Sequence, residues 1–227
     1  MRAVIFDFDG LILDTEWPEV VAWQETFDEF QVEMPEFWWI DSIGRGSDQE
    51  PIHPADILEQ RLGRSVNREA LIKKCSLRRQ FLAGQEAPLP GVLDRIHEAI
   101  DLGWKLAIAS SSGRSWVESH LQHLGIRELF CEIVCREDVV ATKPSPDLYL
   151  AALTKIGTDP TEAFALEDSP AGISSALAAG MKVVAVPNRL TKELDTSHAT
   201  LVVKSLKGIT LSSIAYQFGQ NETIPVK

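Results

Sequence analysis

Asp7 and Asp9 stand two residues apart at the end of an apolar run, Ala3–Phe8, and Gly10 follows them. If the run is a strand that persists through both, the two carboxylates share one face. So paired, one can act as nucleophile or metal ligand while the other moves a proton. Gly10 lets the chain turn sharply and brings backbone groups close to a ligand. A solvated strand end also accounts for a bare Asp-x-Asp, but less well for one followed by Gly and by Leu11-Ile-Leu-Asp14-Thr15.

Three further groups bear the same relation to an apolar run. Ser110-Ser111-Ser112 follows Lys105–Ala109, Lys143-Pro-Ser-Pro-Asp147 comes after Glu132–Val134, and Glu167-Asp168-Ser169-Pro170 follows Ala163–Leu166. Ser110 can donate a hydrogen bond to a phosphoryl oxygen, as can the backbone N–H groups after it, Ser111 included. Helix capping is the plainer role for one of these serines. Lys143 is held extended by Pro144 and precedes a capped helix, where positive potential gathers. Glu167 and Asp168 can be capping acids beside Ser169; alternatively, Asp168 completes with Asp7 the oxygen-rich cage that Mg²⁺ prefers.

These groups meet only if the elements between them are arranged to bring them together. Two more short apolar runs lie at Val183–Val186 and Leu201–Val203. Helical spacings fall between the runs: Val92, Leu93, Ile96, Ile100; then Val117, Leu121, Leu124; then Leu148, Ala151, Ala152, Ile156. Ser115-Trp-Val-Glu118 has the form of a capping box, and Ser145-Pro146 and Ser169-Pro170 place a cap before a proline at the first helical position. Gly103, Gly125, Gly157 and Gly180 close four helices. This alternation predicts an α/β fold, a doubly wound parallel sheet (Rossmann-like) with helices on both faces. Ligands bind such sheets outside the carboxyl ends of the strands, which is where the four groups would converge.

Residues 17–85 interrupt the alternation. Val20, Trp23, Phe27 and Phe30 recur at helical spacing, and helical patterns follow over Ala55–Leu62 and Arg68–Leu82. We read an all-helical insert leaving after the first strand and returning at Pro88–Gly91. The organisation expected is a core of residues 1–16 and 86–216, an inserted helical cap over 17–85, and a polar tail over 217–227.

Of the 227 residues, 44% are hydrophobic and 24% charged, the balance of a globular chain. The net charge of −11 repels a polyphosphate backbone, so nucleic-acid binding is not expected. Cys75, Cys131 and Cys135 show no CxxC spacing and cannot all pair, which fits a reduced, cytoplasmic protein. No apolar run is long enough for a signal segment or a membrane span. The pattern says nothing about oligomeric state.

In the order Asp7-Phe-Asp9-Gly10-Leu-Ile-Leu-Asp14-Thr15, Ala109-Ser110-Ser111, Lys143-Pro144-Ser145-Pro146-Asp147 and Glu167-Asp168-Ser169, the chain resembles the haloacid-dehalogenase-like phosphohydrolases. It is most similar to the β-phosphoglucomutase-like branch with a helical cap, and the likeness extends from Ala3 to about Leu206. The resemblance implies phosphoryl transfer through a covalent aspartyl phosphate on Asp7, with Asp9 as acid and then base. It implies Mg²⁺ held by Asp7, the backbone carbonyl of Asp9 and Asp168, and phosphoryl oxygens bound by Ser110, Ser111 and Lys143. Glu167 would orient a metal-bound water or a cap contact. Dehalogenases of the superfamily lack an acid at the position of Asp9, so an oxygen leaving group is expected. Mutases of the branch carry a histidine soon after the Asp-Thr pair, where this chain has Glu16-Trp17-Pro18-Glu19.

The expected activity is therefore an Mg²⁺-dependent phosphatase acting on a small phosphorylated metabolite such as a sugar phosphate. A phosphosugar mutase is the alternative, and a non-enzymatic phosphometabolite sensor a more distant one. In the cap, Arg45 lies in the glycine-flanked Gly44-Arg45-Gly46 and can grip a second anionic group, or be a surface arginine in a turn. Lys74 and Arg78, four apart in a basic stretch, share a helix face and can draw in an anionic substrate, although such runs are commonly solvated faces.

Overall fold

A computed structural model describes residues 1–35 and 53–220. Six strands, β1 (Ala3–Phe6), β2 (Lys105–Ala109), β3 (Glu132–Val134), β4 (Ala163–Glu167), β5 (Lys182–Ala185) and β6 (Leu201–Val202), form one sheet in the order β3-β2-β1-β4-β5-β6. Every pairing is parallel. Strands buried on both faces read as continuous apolar runs, and β1 is buried at all four positions.

Alternation within β1 sends its side chains into two cores. Val4 and Phe6 join Ile96, Leu121 and Phe164 on one face, while Ala3 and Ile5 join Tyr149, Leu153 and Ile173 on the other. The covering helices are α4 (Val92–Asp101), α5 (Arg114–His123), α6 (Asp147–Ile156), α7 (Pro170–Ala178) and α8 (Leu211–Gln220). The strand order reverses between β1 and β4, whose carboxyl ends bear Asp7 and Glu167-Asp168. That switch point is where a doubly wound sheet opens a crevice.

Between β1 and α4 the described residues of the insert form three helices, α1 (Glu16–Glu29), α2 (Pro54–Leu62) and α3 (Arg68–Ala83), and no strand. Val20, Trp23, Phe27, Leu58, Leu71 and Cys75 make a third core shared by these helices. Arg45, Trp38 and Trp39 lie outside the described residues. Returning from the insert, Leu89 donates its N–H to Ile12 O, and Gly91 (φ +90°) passes Leu206 so closely that a Cβ would stand 2.3 Å from its carbonyl carbon. Only glycine satisfies both conditions there.

Several local expectations need correction. Ser115 is not an N-cap: α5 begins at Arg114 after an extended Gly113, and Glu118 pairs with Arg114 rather than closing a box. The Arg114 ion pairs to Glu118 and Asp138 reward the earlier start. Ser145 does not cap α6 either; the helix starts one residue later, at Asp147, whose Oδ1 accepts from the Ser145 hydroxyl at 2.8 Å. Ser169 does cap α7, accepting from Gly172 N at 3.1 Å with Pro170 at the first position. Gly103, Gly125, Gly157 and Gly180 all take the left-handed conformation just after α4, α5, α6 and α7. Helix α8 runs to Gln220, beyond the boundary read at residue 216, because Phe218 is buried against Phe164.

Candidate active site

Strand β1 ends at Phe6, so Asp7 and Asp9 owe their placement to a loop and not to strand alternation. Asp7 N still donates to Leu166 O at 3.0 Å, which ties its backbone to β4. The chain then turns back through Gly10 N to Leu13 O at 2.8 Å, burying Phe8, Leu11, Ile12 and Leu13 beneath the site. Gly10 has φ +83°, and a Cβ there would lie 2.5 Å from Asp168 Oδ2. The loop can approach Asp168 only as glycine.

The pair therefore divides into two environments. Asp7 is buried, with Lys143 Nζ bonded to its Oδ1, while Asp9 is half-buried and turned toward β2. Asp9 Oδ2 accepts from Ser112 Oγ at 2.7 Å and Ser110 Oγ at 3.3 Å; its Oδ1 accepts from Thr15 Oγ1 at 2.5 Å and Trp116 Nε1 at 2.9 Å. Ser110 and Ser111 are both buried, and Ser110 Oγ also accepts from Ser112 N at 3.0 Å.

Lys143 is 1% exposed and stands between two acids, Asp7 and, at 2.7 Å, Glu167 Oε1. It lies in a turn, with a cis bond to Pro144. Burial works against its charge, but attraction from Asp7 and Glu167 outweighs it and holds the ammonium above the usual lysine range. Glu167 in turn accepts from Tyr149 Oη at 2.6 Å and Asp168 N at 3.2 Å. A Cβ on Gly172, in α7, would stand 2.0 Å from Glu167 Oε1. An alanine in a helix ordinarily gains about 1 kcal/mol over glycine. Here Gly172→Ala is expected to lose about 1–3 kcal/mol through overpacking and to slow turnover, because Glu167 must move off Lys143. A denaturation midpoint above wild type would contradict that packing.

Asp7, Glu167 and Asp168 bring oxygen atoms within 4.8 Å of one another. Asp168 is fully buried; Asn188 Nδ2 donates to its Oδ2 at 2.8 Å, and its Oδ1 has no partner. Glu16 Oε2 is likewise buried without one. A buried carboxylate oxygen left unpaired is costly unless a cation meets it, so the donor set suits a hard divalent ion such as Mg²⁺. The charges agree, since Lys143 alone bridges Asp7 and Glu167 while Asp168 lies within reach of both acids.

Burial, opposed by Lys143 and reinforced by Glu167 and Asp9, pushes the Asp7 carboxyl up to about 8. Burial, then repulsion from Glu16, Asp7 and Glu167, drives Asp168 well above the carboxylate range. Folded metal-free protein thus keeps protons that the unfolded chain releases near pH about 4, and stability falls as pH rises from there towards about 8. The melting temperature of metal-free protein is expected to be lower at pH about 8 than at about 6, with Mg²⁺ raising it more at the higher pH, where no proton need be displaced. Equal Mg²⁺ shifts at both pH values would argue against metal binding by these carboxylates.

The basic residues of the insert separate. Lys74 pairs with Glu29, and Arg78 binds Glu25 through both carboxylate oxygens at 2.7 and 2.8 Å, all on an exposed face. Arg79 faces the core instead: its guanidinium lies 4.0 Å from Asp9 Oδ1, 2.7 Å from Glu19, and 4.3 Å over the Trp116 ring. Sequence reading missed Arg79, Trp116 and Asn188. Asn188 was accessible by rule, since Val186-Pro187-Asn188 follows β5 as the other groups follow their strands. Trp116, inside a helix, carried no such signal.

Among known proteins the chain is 41% identical to YhcW of Bacillus subtilis, named as a phosphatase, over 86% of this chain and 87% of that one. It is 30% identical to protein CbbY of Rhodobacter capsulatus over 94% and 97%. The crystal structure of CbbY from Rhodobacter sphaeroides in complex with phosphate superposes with a TM-score of 0.76 at 26% identity, covering 95% of this chain and all of that one. A CbbY variant from the same organism was solved with xylulose-(1,5)bisphosphate, with a TM-score of 0.74. The haloacid dehalogenase-like hydrolase model matches residues 4–186, from the second residue of β1 to just past β5, with each of the four acidic, hydroxyl and lysine groups inside it, and the chain belongs to that family.

Proposed function

We propose that the chain is a phosphoric monoester hydrolase: an Mg²⁺-dependent phosphatase acting on a small phosphorylated metabolite, with sugar phosphates the first class to try. The observation that carries this reading is buried Lys143, in contact with Asp7 and beside an unpartnered Asp168 oxygen. An anionic nucleophile meets an anionic phosphate only where positive charge is supplied; Lys143 gives one such charge here, and a divalent cation on the surplus carboxylates would give the rest.

In the reading, Asp7 attacks phosphorus, and the bond to the leaving oxygen breaks as the aspartyl phosphate forms. Asp9 gives its proton to the leaving oxygen. Asp9, now a carboxylate, then takes a proton from water, whose oxygen attacks phosphorus; the bond to Asp7 breaks and phosphate departs. Lys143, Ser110 and Ser111 bind the phosphoryl oxygens. Glu167 aims Lys143, and Tyr149 aims Glu167 through its hydroxyl. Asp7, the Asp9 carbonyl and Asp168 would hold Mg²⁺, whose charge offsets that of the phosphoryl group when bound. From the cap, Arg79 offers a cation over Asp9, with Arg45 a further candidate for a second anionic group; Lys74 and Arg78 are engaged by Glu29 and Glu25 on the exposed face.

A phosphatase-type acceptor, water, is favoured over a mutase by the segment Glu16-Trp17-Pro18-Glu19, which has no histidine and opens α1. The test is phosphate release from a panel of sugar phosphates and nucleotides, with Mg²⁺ and with EDTA. Release that requires the metal is expected. Isomerisation of a hexose phosphate without release would establish a mutase instead, and metal-independent release would refute the assigned Mg²⁺ role.

A further inference from the structure

Asp9 is gripped by four donors, and they differ in kind. Thr15, Ser110 and Ser112 are hydroxyls that can rotate and accept; the Trp116 indole N–H can only donate. That N–H points at Oδ1 from 2.9 Å. A proton on Oδ1 would confront it and weaken a part-buried hydrogen bond, whereas a proton on Oδ2 faces only serine hydroxyls that can turn to receive or pass it.

The indole is itself held from both structural units. His120, one turn on in α5, packs its ring 4.2 Å from the indole, with Nδ1 2.8 Å from Trp116 O. Arg79 of α3 stacks 4.3 Å over the same ring while tied to Glu19 at 2.7 Å. Such a cation–π contact favours a fixed ring position.

We infer that Trp116 is a positioning residue that keeps Asp9 Oδ1 an acceptor, so that Oδ2 carries the proton exchanged with the leaving group and with water. The inference rests on the phosphatase reading, in which Asp9 is the acid. A structural role alone would slow every substrate alike. A role in aiming the acid matters most where the leaving oxygen is basic, as in a sugar alkoxide, and least for p-nitrophenolate, which departs without a proton.

The experiment compares kcat/KM for the fastest-cleaved sugar phosphate of the panel and for p-nitrophenyl phosphate in wild type and Trp116→Phe, which keeps an aromatic ring for Arg79. The loss is expected to be about tenfold greater on the sugar phosphate. Equal losses would overturn the inference. A second arm needs no turnover: in ¹⁵N-labelled full-length protein, Asp9→Ala should shift one tryptophan indole N–H signal strongly and speed its exchange, the signal that Trp116→Phe removes. If every indole signal stayed in place, the hydrogen bond, and with it the inference, would be refuted whether or not Trp116→Phe folds. Wild type releasing phosphate from neither ester would instead refute the phosphatase reading, leaving the indole signal to decide the contact.

Discussion

Asp7→Asn is expected to lower Mg²⁺-dependent phosphate release by about 10³-fold or more without lowering the melting temperature of the metal-free protein at pH about 8. The two halves have separate causes. Asparagine has nearly the same volume but no charge, so it cannot form the acyl phosphate, and no neighbouring acid is placed to replace it: Glu167 is engaged by Lys143 and Tyr149, and Asp9 by its four donors. For stability, the substitution removes a carboxylate that burial first, and then repulsion from Glu167 and Asp9, pushes up to about 8 against the pull of Lys143. Lys143 keeps Glu167 as its partner at 2.7 Å, so no buried charge is stranded. Steady-state assays at saturating Mg²⁺ and substrate, with a thermal melt in EDTA, check both. Activity within tenfold of wild type would remove Asp7 from the nucleophile's role.

Lys143→Met should abolish turnover too, but with a large stability cost. Methionine fills the buried channel of the lysine stem yet leaves Asp7 and Glu167 facing each other with no cation between them. Breaking a buried ion pair by deleting one partner costs about 3–5 kcal/mol, so a fall of roughly 10 °C in melting temperature is expected near neutral pH. Because the stranded acids can take up protons, the deficit should be largest above pH about 8 and shrink as pH falls below it. Lys143→Met melting with wild type at pH about 7 would mean the ammonium is not the counter-ion its burial implies. The two variants touch opposite ends of one bond, and the contrast between them separates loss of chemistry from loss of the fold.

Much of this was legible in the sequence because the fold has strong local signals. A strand buried on both faces must be a short apolar run, and β2 and β3 begin and end where the runs do. Glycines after α4, α5, α6 and α7 mark their ends, since the left-handed residue there is easiest for glycine. Capping was less reliable. Ser115-x-x-Glu118 has the right letters, but the surrounding ion pairs of Arg114 chose a different first residue. Propensity and pattern lose to tertiary contacts worth as much as a cap.

What the sequence by itself determined is the inventory at the sheet edge. Asp7, Asp9, Ser110, Lys143 and Asp168 each come after a strand and Glu167 ends one, and parallel winding obliges strand ends to share one side. What only the tertiary structure decided is how those groups are wired. Lys143 binding two acids at once, Asn188 reaching from the end of β5 to Asp168, and Arg79 rather than Lys74 or Arg78 laid over Trp116 are all contacts between residues distant in the chain. Spacing along a chain sets which element and which end a side chain occupies. The packing of one element on another sets the last few ångströms, and charge, hydrogen bonding and proton position depend on those.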